Sequence, residues 1–320
     1  MILGLDVGGA NTKAASSDGL ITIIEYLPIW KEAPLTPLLR RISQEAEPEA
    51  LAVVMTGELA DCFSNKRLGI LSIKEAVEES FSCPIKFWGV DGFRWTDVSD
   101  LAAANWSASA SLISKEIGDC LFADMGSTTT DLIPIKSRPK AGRTDFNRLA
   151  NGELIYSGLL RTNLAFLLHE VNLAGRRIPL SSELFAISAD AHLVLGEIAE
   201  AEYAVEPPDG NGKDRISAER RLARTVCADL EEIGPEGVEA IARQAIARQA
   251  GLLTAGIRRL AEEHNLDLVV AAGIGEGMIE EAALDLSLEC VLLSERYGPR
   301  VSDVFPAYAV ARLLEMVEEV

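Results

Sequence analysis

The stretch Cys120–Ile135, CLFADMGSTTTDLIPI, decides the fold. An apolar run ends at Asp124, Gly126 and Ser127 follow, and Thr128, Thr129 and Thr130 lead to Asp131 and a second apolar run. Two apolar runs joined by a short Gly- and hydroxyl-rich link read as a β-hairpin, here with an acid at each end of its turn. The earlier stretch Ile2–Ala15, ILGLDVGGANTKAA, has the same design. A strand ends at Asp6, Gly8 and Gly9 turn the chain, and Asn11, Thr12 and Lys13 begin the return. Facing each other, two such turns would clamp a phosphate and a divalent cation.

Around the first hairpin, residues 2–26 read as three strands, followed by a helix from Thr36 to Glu47 and a buried strand at Leu51–Met55. Helical periodicity returns over Lys66–Phe81, a strand over Ile85–Val90, and an Ala- and Ser-rich helix over Asp97–Ser114. After the second hairpin comes a polar connection, Lys136–Asn147. Leu164–Val171 fits either strand or helix, and Phe185–Gly196 fits a helix. The run Pro207–Gly212 is a clear loop, and Ser217–Glu231 is amphipathic. Pro235–Asn265 reads as a long helix with Pro235 near its first position. Leu266–Ala272 is a buried strand, Gly273, Gly275 and Gly277 turn into the helix Met278–Leu284, and Glu289–Leu293 and Phe305–Val320 close the chain as strand and helix. The expectation is an α/β protein with mixed sheets, duplicated into two lobes around a central cleft. Residues 1–118 form one lobe, with the helix 305–320 packing back on it. Residues 119–304 form the other, with an insertion around 136–231.

The chain has 320 residues, 48% of them hydrophobic and 25% charged, which suits a globular protein of two lobes. No run is apolar for long enough to span a membrane, and the N-terminus does not read as a signal peptide. A formal net charge of −19 argues against nucleic acid as a partner. The five cysteines are widely spaced with no CxxC pair, so neither a zinc site nor a disulfide framework is expected, and a reducing cytoplasm fits. The three histidines are scattered. Oligomeric state stays open, a homo-oligomer among the options.

Gly turns let backbone N–H groups converge on phosphate oxygens without Cβ obstruction. An Asp beside such a nest suits Mg2+, which takes few carboxylates together with waters and phosphate oxygens. Lys13 can reach a phosphate as a point charge, and Ser127 to Thr130 can donate hydroxyl hydrogen bonds. Taken singly, an Asp-x-Gly-Gly is often a plain hairpin and a Gly-x-Gly-x-Gly a plain strand-to-helix turn. The weight lies in three Gly turns, each following a buried strand, in this order.

That order resembles the superfamily of sugar kinases, actin and heat-shock chaperone ATPases. The resemblance makes Asp6–Lys13 and Asp124–Asp131 the two phosphate motifs and Val269–Gly277 the adenosine-type motif. Thr56–Asp61 and Ser302–Ala311 become the connecting segments, and the fold becomes actin-like and ribonuclease H-like. Within it, DMGSTTTDL and SADAHLVLGEI resemble the hydantoinase/oxoprolinase branch, with Ser127 where that branch usually has a second Gly. More narrowly, DVGGANTK, AANW (Ala103–Trp106), DMGSTTTD and RLARTVCAD (Arg221–Asp229) resemble the condensing enzymes of archaeal methanofuran biosynthesis and bacterial relatives.

Those enzymes join the diphosphate of 5-(aminomethyl)-3-furanmethanol to γ-glutamyltyramine, forming an aryl ether and releasing diphosphate. The resemblance therefore implies a diphosphate ester and a phenolic amine as substrates. It implies Mg2+ held by Asp6, Asp124 and Asp131, with ATP not needed for this reaction although the superfamily binds it. Asp6, Lys13, Asp131 and Asp190 become the catalytic candidates, Asp190 as a general base or else a helix cap. Glu153 is a further acid, Asn105 could face the cleft, and Arg148 and Arg161 could hold diphosphate or glutamyl carboxylates. Phosphate contacts fall to Gly8, Gly9, Asn11, Thr12, Gly126, Ser127, Thr128 and Thr129, and the third motif to Gly273 and Gly275. Two other functions stay open: an ATP-dependent kinase or hydantoinase-like enzyme, and a non-enzymatic nucleotide switch.

Overall fold

The structure, a computed structural model, describes residues 1–31 and 33–318. Its first sheet grows from β1 (Ile2–Val7), whose last five residues are buried. β1 pairs antiparallel with β2 (Asn11–Ser16), and β2 likewise with β3 (Thr22–Tyr26). On its other side β1 pairs parallel with β4 (Ala50–Met55), and β4 parallel with β5 (Ile85–Phe87). A strand flanked on both edges and covered on both faces must be apolar along its length, and ILGLDV and ALAVVM are.

The second sheet repeats this plan. β6 (Cys120–Met125) pairs antiparallel with β7 (Thr130–Ile135), and β7 with β8 (Leu154–Ile155). Much later in the chain β11 (Leu268–Ala272) pairs parallel with β6, and β12 (Glu289–Leu292) parallel with β11. The order β3-β2-β1-β4-β5 is thus matched by β8-β7-β6-β11-β12, and the duplication expected from the two hairpins is a duplication of whole sheets. Between β8 and β11 the chain forms a separate core, from Leu159 to Ala245, around the helices Ser188–Leu195, Arg215–Arg224 and the first half of Leu230–His264. A short hairpin of β9 (Glu170–Leu173) and β10 (Arg176–Pro179) completes it.

The closing helix Phe305–Glu318 lies on β1 and shares one core with Trp106, Phe122 and Val270, so it joins the two sheets. Its approach is so close that a Cβ on Gly4 would stand 1.8 Å from the carbonyl oxygen of Ala307. The expected end of this helix at Val320 lies outside the described residues.

The expected helix Asp97–Ser114 is in fact a 3-10 turn, Val98–Leu101, and a helix, Asn105–Glu116. Ala103 between them has φ 46°, which no helix accepts. Leu164–Val171 is likewise two elements, a short helix Leu164–Leu167 and then β9. Within the polar connection a helix, Asp145–Asn151, starts at Thr144, whose hydroxyl accepts from Asn147 N. Gly234, at φ 65°, interrupts the long helix and leaves Pro235 to open its main part. Among the described residues no helix is long and apolar enough to cross a membrane.

Gly4→Ala is expected to destabilise the fold by about 1–3 kcal/mol through overpacking against Ala307. Urea denaturation of the two proteins measures it, and an unchanged midpoint would contradict the packing described here.

Candidate functional site

The two Asp–Gly hairpins superimpose residue for residue in their pairing. Asp6 stands opposite Lys13 and Val7 opposite Thr12; Asp124 stands opposite Asp131 and Met125 opposite Thr130. In the first turn Gly8 N donates to Asn11 O at 3.0 Å, and in the second Gly126 N donates to Thr129 O at 3.0 Å. Gly9 therefore corresponds to Ser127, and the position of Lys13 is taken by Asp131. Among the described residues the amides of Gly9, Ala10, Ser127 and Thr128 donate to no backbone acceptor, so both turns keep donors for an anion.

Both hairpins deliver their first acid into an apolar strand end. Asp6 is buried, and its Oδ1 has no hydrogen-bond partner. Burial pushes its pKa up to about 6, against the pull of Lys13 and a hydrogen bond with Asn105. Burial raises Asp124 to about 7; Lys13 opposes this, while Asp131, Asp6 and Glu276 add to it. Lys13 acts on both acids, and its Nζ donates to Asp303 O at 2.6 Å. Two carboxyls that repel each other, one with an orphaned oxygen, together with nearby hydroxyls, form a hard-oxygen set that fits Mg2+. Among the described residues no three His, Cys, Asp or Glu side chains form a metal cage by themselves. Mg2+ shared with phosphate oxygens does not require one.

The third turn lies against the second. Gly275 N donates to Met125 O at 3.0 Å. Gly273 has φ 84°, and a Cβ there would sit 2.5 Å from Asp124 Oδ1, so only glycine lets this turn close over the acid. The helix it opens, Glu276–Asp285, begins two residues earlier than its apolar pattern suggests, with Gly275 as its cap.

Other expected site residues are placed differently. Thr12 is wholly buried, and its hydroxyl has no hydrogen-bond partner. Asp131 does not stand free for a metal: its carboxylate pairs with Arg148, which also pairs with Asp145 at 2.7 Å and lies 5.0 Å over the Trp106 ring. Arg148 is thus a buried internal partner of these two acids. Glu153 accepts from Gly142 N at 2.7 Å and Asn151 Nδ2 at 3.2 Å, a structural role. Asp190 is the clearest correction. Its side chain is fully buried, paired with Arg221 at 2.8 Å, and it accepts from Tyr203 and from Ile187 N, each at 3.0 Å. It caps its helix and anchors Arg221, and Arg221 in turn holds Asp209 at 3.2 Å and Gly212 O at 3.0 Å in the loop beside the cleft.

Beside the paired turns lies a cleft of roughly 350 Å³, lined by Asn11, Tyr26, Trp30, Ser127, Arg161 and the segment 204–210. Both lobes contribute, and each contribution is tied to its own turn. Ile29 N donates to Gly9 O at 2.9 Å, and Arg161 N donates to Ser127 O at 2.8 Å. The Arg161 guanidinium lies 5.1 Å from the Trp30 ring centre across the cleft. Such a stack at an exposed site contributes about 0.5–1 kcal/mol, too little to hold lobes together, so its consequence is orientation. Lys31 and Glu206 pair across the same cleft at 2.7 Å. A larger hollow of roughly 540 Å³, under Phe63 and Ile73, touches neither turn.

Sequence reasoning missed Trp30, Tyr26 and Glu206, whose segments carry no motif. It also passed over Glu58, buried with an orphaned Oε2 and a pKa raised by burial to about 7. Its only signal was a place in the Thr56–Asp61 connecting segment.

With this geometry established, the comparisons are specific. The hydantoinase/oxoprolinase family model matches residues 49–317. The chain belongs to the hydantoinase/oxoprolinase family. That match includes the second and third turns of this family member and leaves out the first hairpin. A relative from Methanocaldococcus jannaschii, named (4-{4-[2-(gamma-L-glutamylamino)ethyl]phenoxymethyl}furan-2-yl)methanamine synthase, is 39% identical over 98% of both chains. A relative of the same name from Methanococcus vannielii is 34% identical over 64% of this chain and 96% of its own. Among solved structures, a ROK family glucokinase from Streptomyces griseus, in complex with glucose and AMPPNP, aligns over 98% of both chains with a TM-score of 0.50 at 12% identity. The expected two-lobed sugar-kinase fold is therefore the fold of this hydantoinase/oxoprolinase member.

Two predictions follow from the buried acids. The raised values of Asp6 and Asp124 mean that the folded state holds protons the unfolded state gives up. That contribution is complete below about pH 4 and is lost as pH rises through about 6 to 7. In thermal melts without divalent cations, the wild type should lose stability relative to Asp124→Asn over this range. Mg2+ should raise the wild-type melting temperature more at about pH 8 than at about pH 5, where protons compete for the same oxygens. Asp190→Asn removes the fully buried partner of Arg221 and leaves it only the partly exposed Asp209, and should cost up to about 3–5 kcal/mol in urea denaturation. Where it remains folded, its kcat should stay within about tenfold of wild type, whereas loss of a general base costs about 100-fold or more.

Proposed function

We propose that this protein is the transferase of methanofuran biosynthesis that condenses 5-(aminomethyl)-3-furanmethanol diphosphate with γ-glutamyltyramine, forming an aryl ether and releasing diphosphate. The observation that carries this reading is the 39% identity to the synthase over nearly the full length of both chains. The site supports it chemically, with two donor turns and a lysine around buried acids.

In this reading the diphosphate lies between the turns. The amides of Gly9, Ala10, Ser127 and Thr128 and the hydroxyls of Ser127 and Thr128 donate to its oxygens, and Lys13 adds positive charge. Asp6 and Asp124 would hold Mg2+, which when bound neutralises charge on the leaving group. The furan ring stabilises positive charge at its CH2 carbon as the bond to the diphosphate oxygen breaks, and the electron pair leaves with the diphosphate. The phenol oxygen forms the new C–O bond, and its proton passes to the departing diphosphate. The protein keeps Asp6 in place through Asn105 and closes the second turn over Asp124 with Gly273. Its free thiols fit a reducing cytoplasm.

A second reading is an ATP-dependent enzyme of the same fold, favoured by the glycine turn against Asp124. Incubation with both substrates and mass spectrometry of the ether decides between them. The expected result is ether and diphosphate without ATP. Asp6→Asn and Asp124→Asn should lower kcat by about 100-fold or more, since each removes charge that anchors the leaving-group site. Strict dependence on ATP would overturn the transferase reading.

A further inference from the structure

The cleft beside Ser127 carries two opposite charges that the leaving-group site does not use. Arg161 enters from the second lobe, fixed by its own amide to the carbonyl of Ser127 at 2.8 Å. Its guanidinium lies 5.1 Å over the Trp30 ring of the first lobe. A cation–π contact of this kind uses none of the N–H donors of the guanidinium, and its planar fork matches a carboxylate. Glu206 lines the same cleft. Arg161 is near enough to help hold the Glu206 carboxyl below its usual range, after Lys31 and Lys213. Trp30, Tyr26 and Pro208 line the same cleft, together with Asn11 and Ser127.

We infer that this cleft binds the γ-glutamyl head of the phenolic substrate, with Arg161 taking its α-carboxylate and Glu206 its α-ammonium. The inference rests on the proposed function, which supplies an acceptor with a free amino acid at one end and a phenol at the other. A cation and an anion close together match the adjacent charges of an α-amino acid zwitterion. Glu206 is also paired with Lys31 at 2.7 Å, so the cleft holds charges of both signs. The apolar walls then take the tyramine ring, and its hydroxyl points along the cleft toward the two turns. The backbone bonds from Ile29 to Gly9 and from Arg161 to Ser127 make the head site and the leaving-group site one rigid ruler. Ser127 belongs to both, through its hydroxyl and amide on one side and its carbonyl on the other.

Calorimetric titration of the full chain with γ-glutamyltyramine and with tyramine, in the presence of Mg2+ and pyrophosphate, tests this. Wild type should bind γ-glutamyltyramine more tightly than tyramine. Arg161→Met should weaken γ-glutamyltyramine by about 10–100-fold and leave tyramine and pyrophosphate within about twofold. Arg161→Lys should recover part of the loss and Glu206→Gln should show a smaller loss. Circular dichroism checks that each variant is folded. Equal wild-type binding of the two phenols, or an Arg161→Met loss confined to pyrophosphate, would overturn the inference. Head-dependent binding without ether formation would overturn the transferase reading and leave the subsite standing. Ether formation with acceptor binding indifferent to Arg161 would do the reverse.

Discussion

The cost of burying carboxylates at the ends of central strands organises this molecule. Asp6 and Asp124 each sit where an apolar strand runs out, and burial there pushes both carboxyls above their usual range. A buried acid persists only where compensation is at hand. Lys13 supplies it to both, Asn105 supplies it to Asp6, and a cation would supply the rest. The matched registers of the two hairpins place the acids in equivalent positions, so that duplication of a sheet becomes duplication of an Asp–Gly turn. The difference between the copies is as informative as the likeness. Lysine stands opposite one acid and an arginine-paired aspartate opposite the other, which makes the site asymmetric in charge.

Around this pair, buried polar networks act as supports. Asp131, Arg148 and Asp145, with Trp106 beneath the guanidinium, stiffen the second hairpin from behind. Asp190, Tyr203 and Arg221 do the same for the loop at the cleft wall. Removing one member of such a network leaves a charge unpaired in a poorly solvated place, so their role is positional. The same logic explains why motif-borne acids such as Asp131 and Asp190 are held by buried arginines.

The hairpins, the buried strands and the long helix opened by Pro235 were legible because each rests on local chemistry: apolar runs, Gly turns and a proline that fits a first helical position. The helix Asp145–Asn151 carried a readable Thr cap inside a stretch that its Lys, Arg and Pro content made look like loop. The break at Ala103 had no signal, because a left-handed alanine is held by its surroundings and not by its own preference. The burial of Thr12 was not legible because a strand hydroxyl faces the core or the surface according to register, and register is a property of the pair.

Sequence alone determined that two Asp–Gly turns follow buried strands, that a third glycine turn comes later, and hence the two-lobed fold. These are short-range patterns that one segment can carry. Tertiary structure decided which acids stay free and which are already paired. It also decided that Trp30 and Arg161, far apart in the chain, meet across a cleft beside Ser127. Desolvation and pairing depend on what every neighbouring segment brings to a point in space, and no local pattern records that.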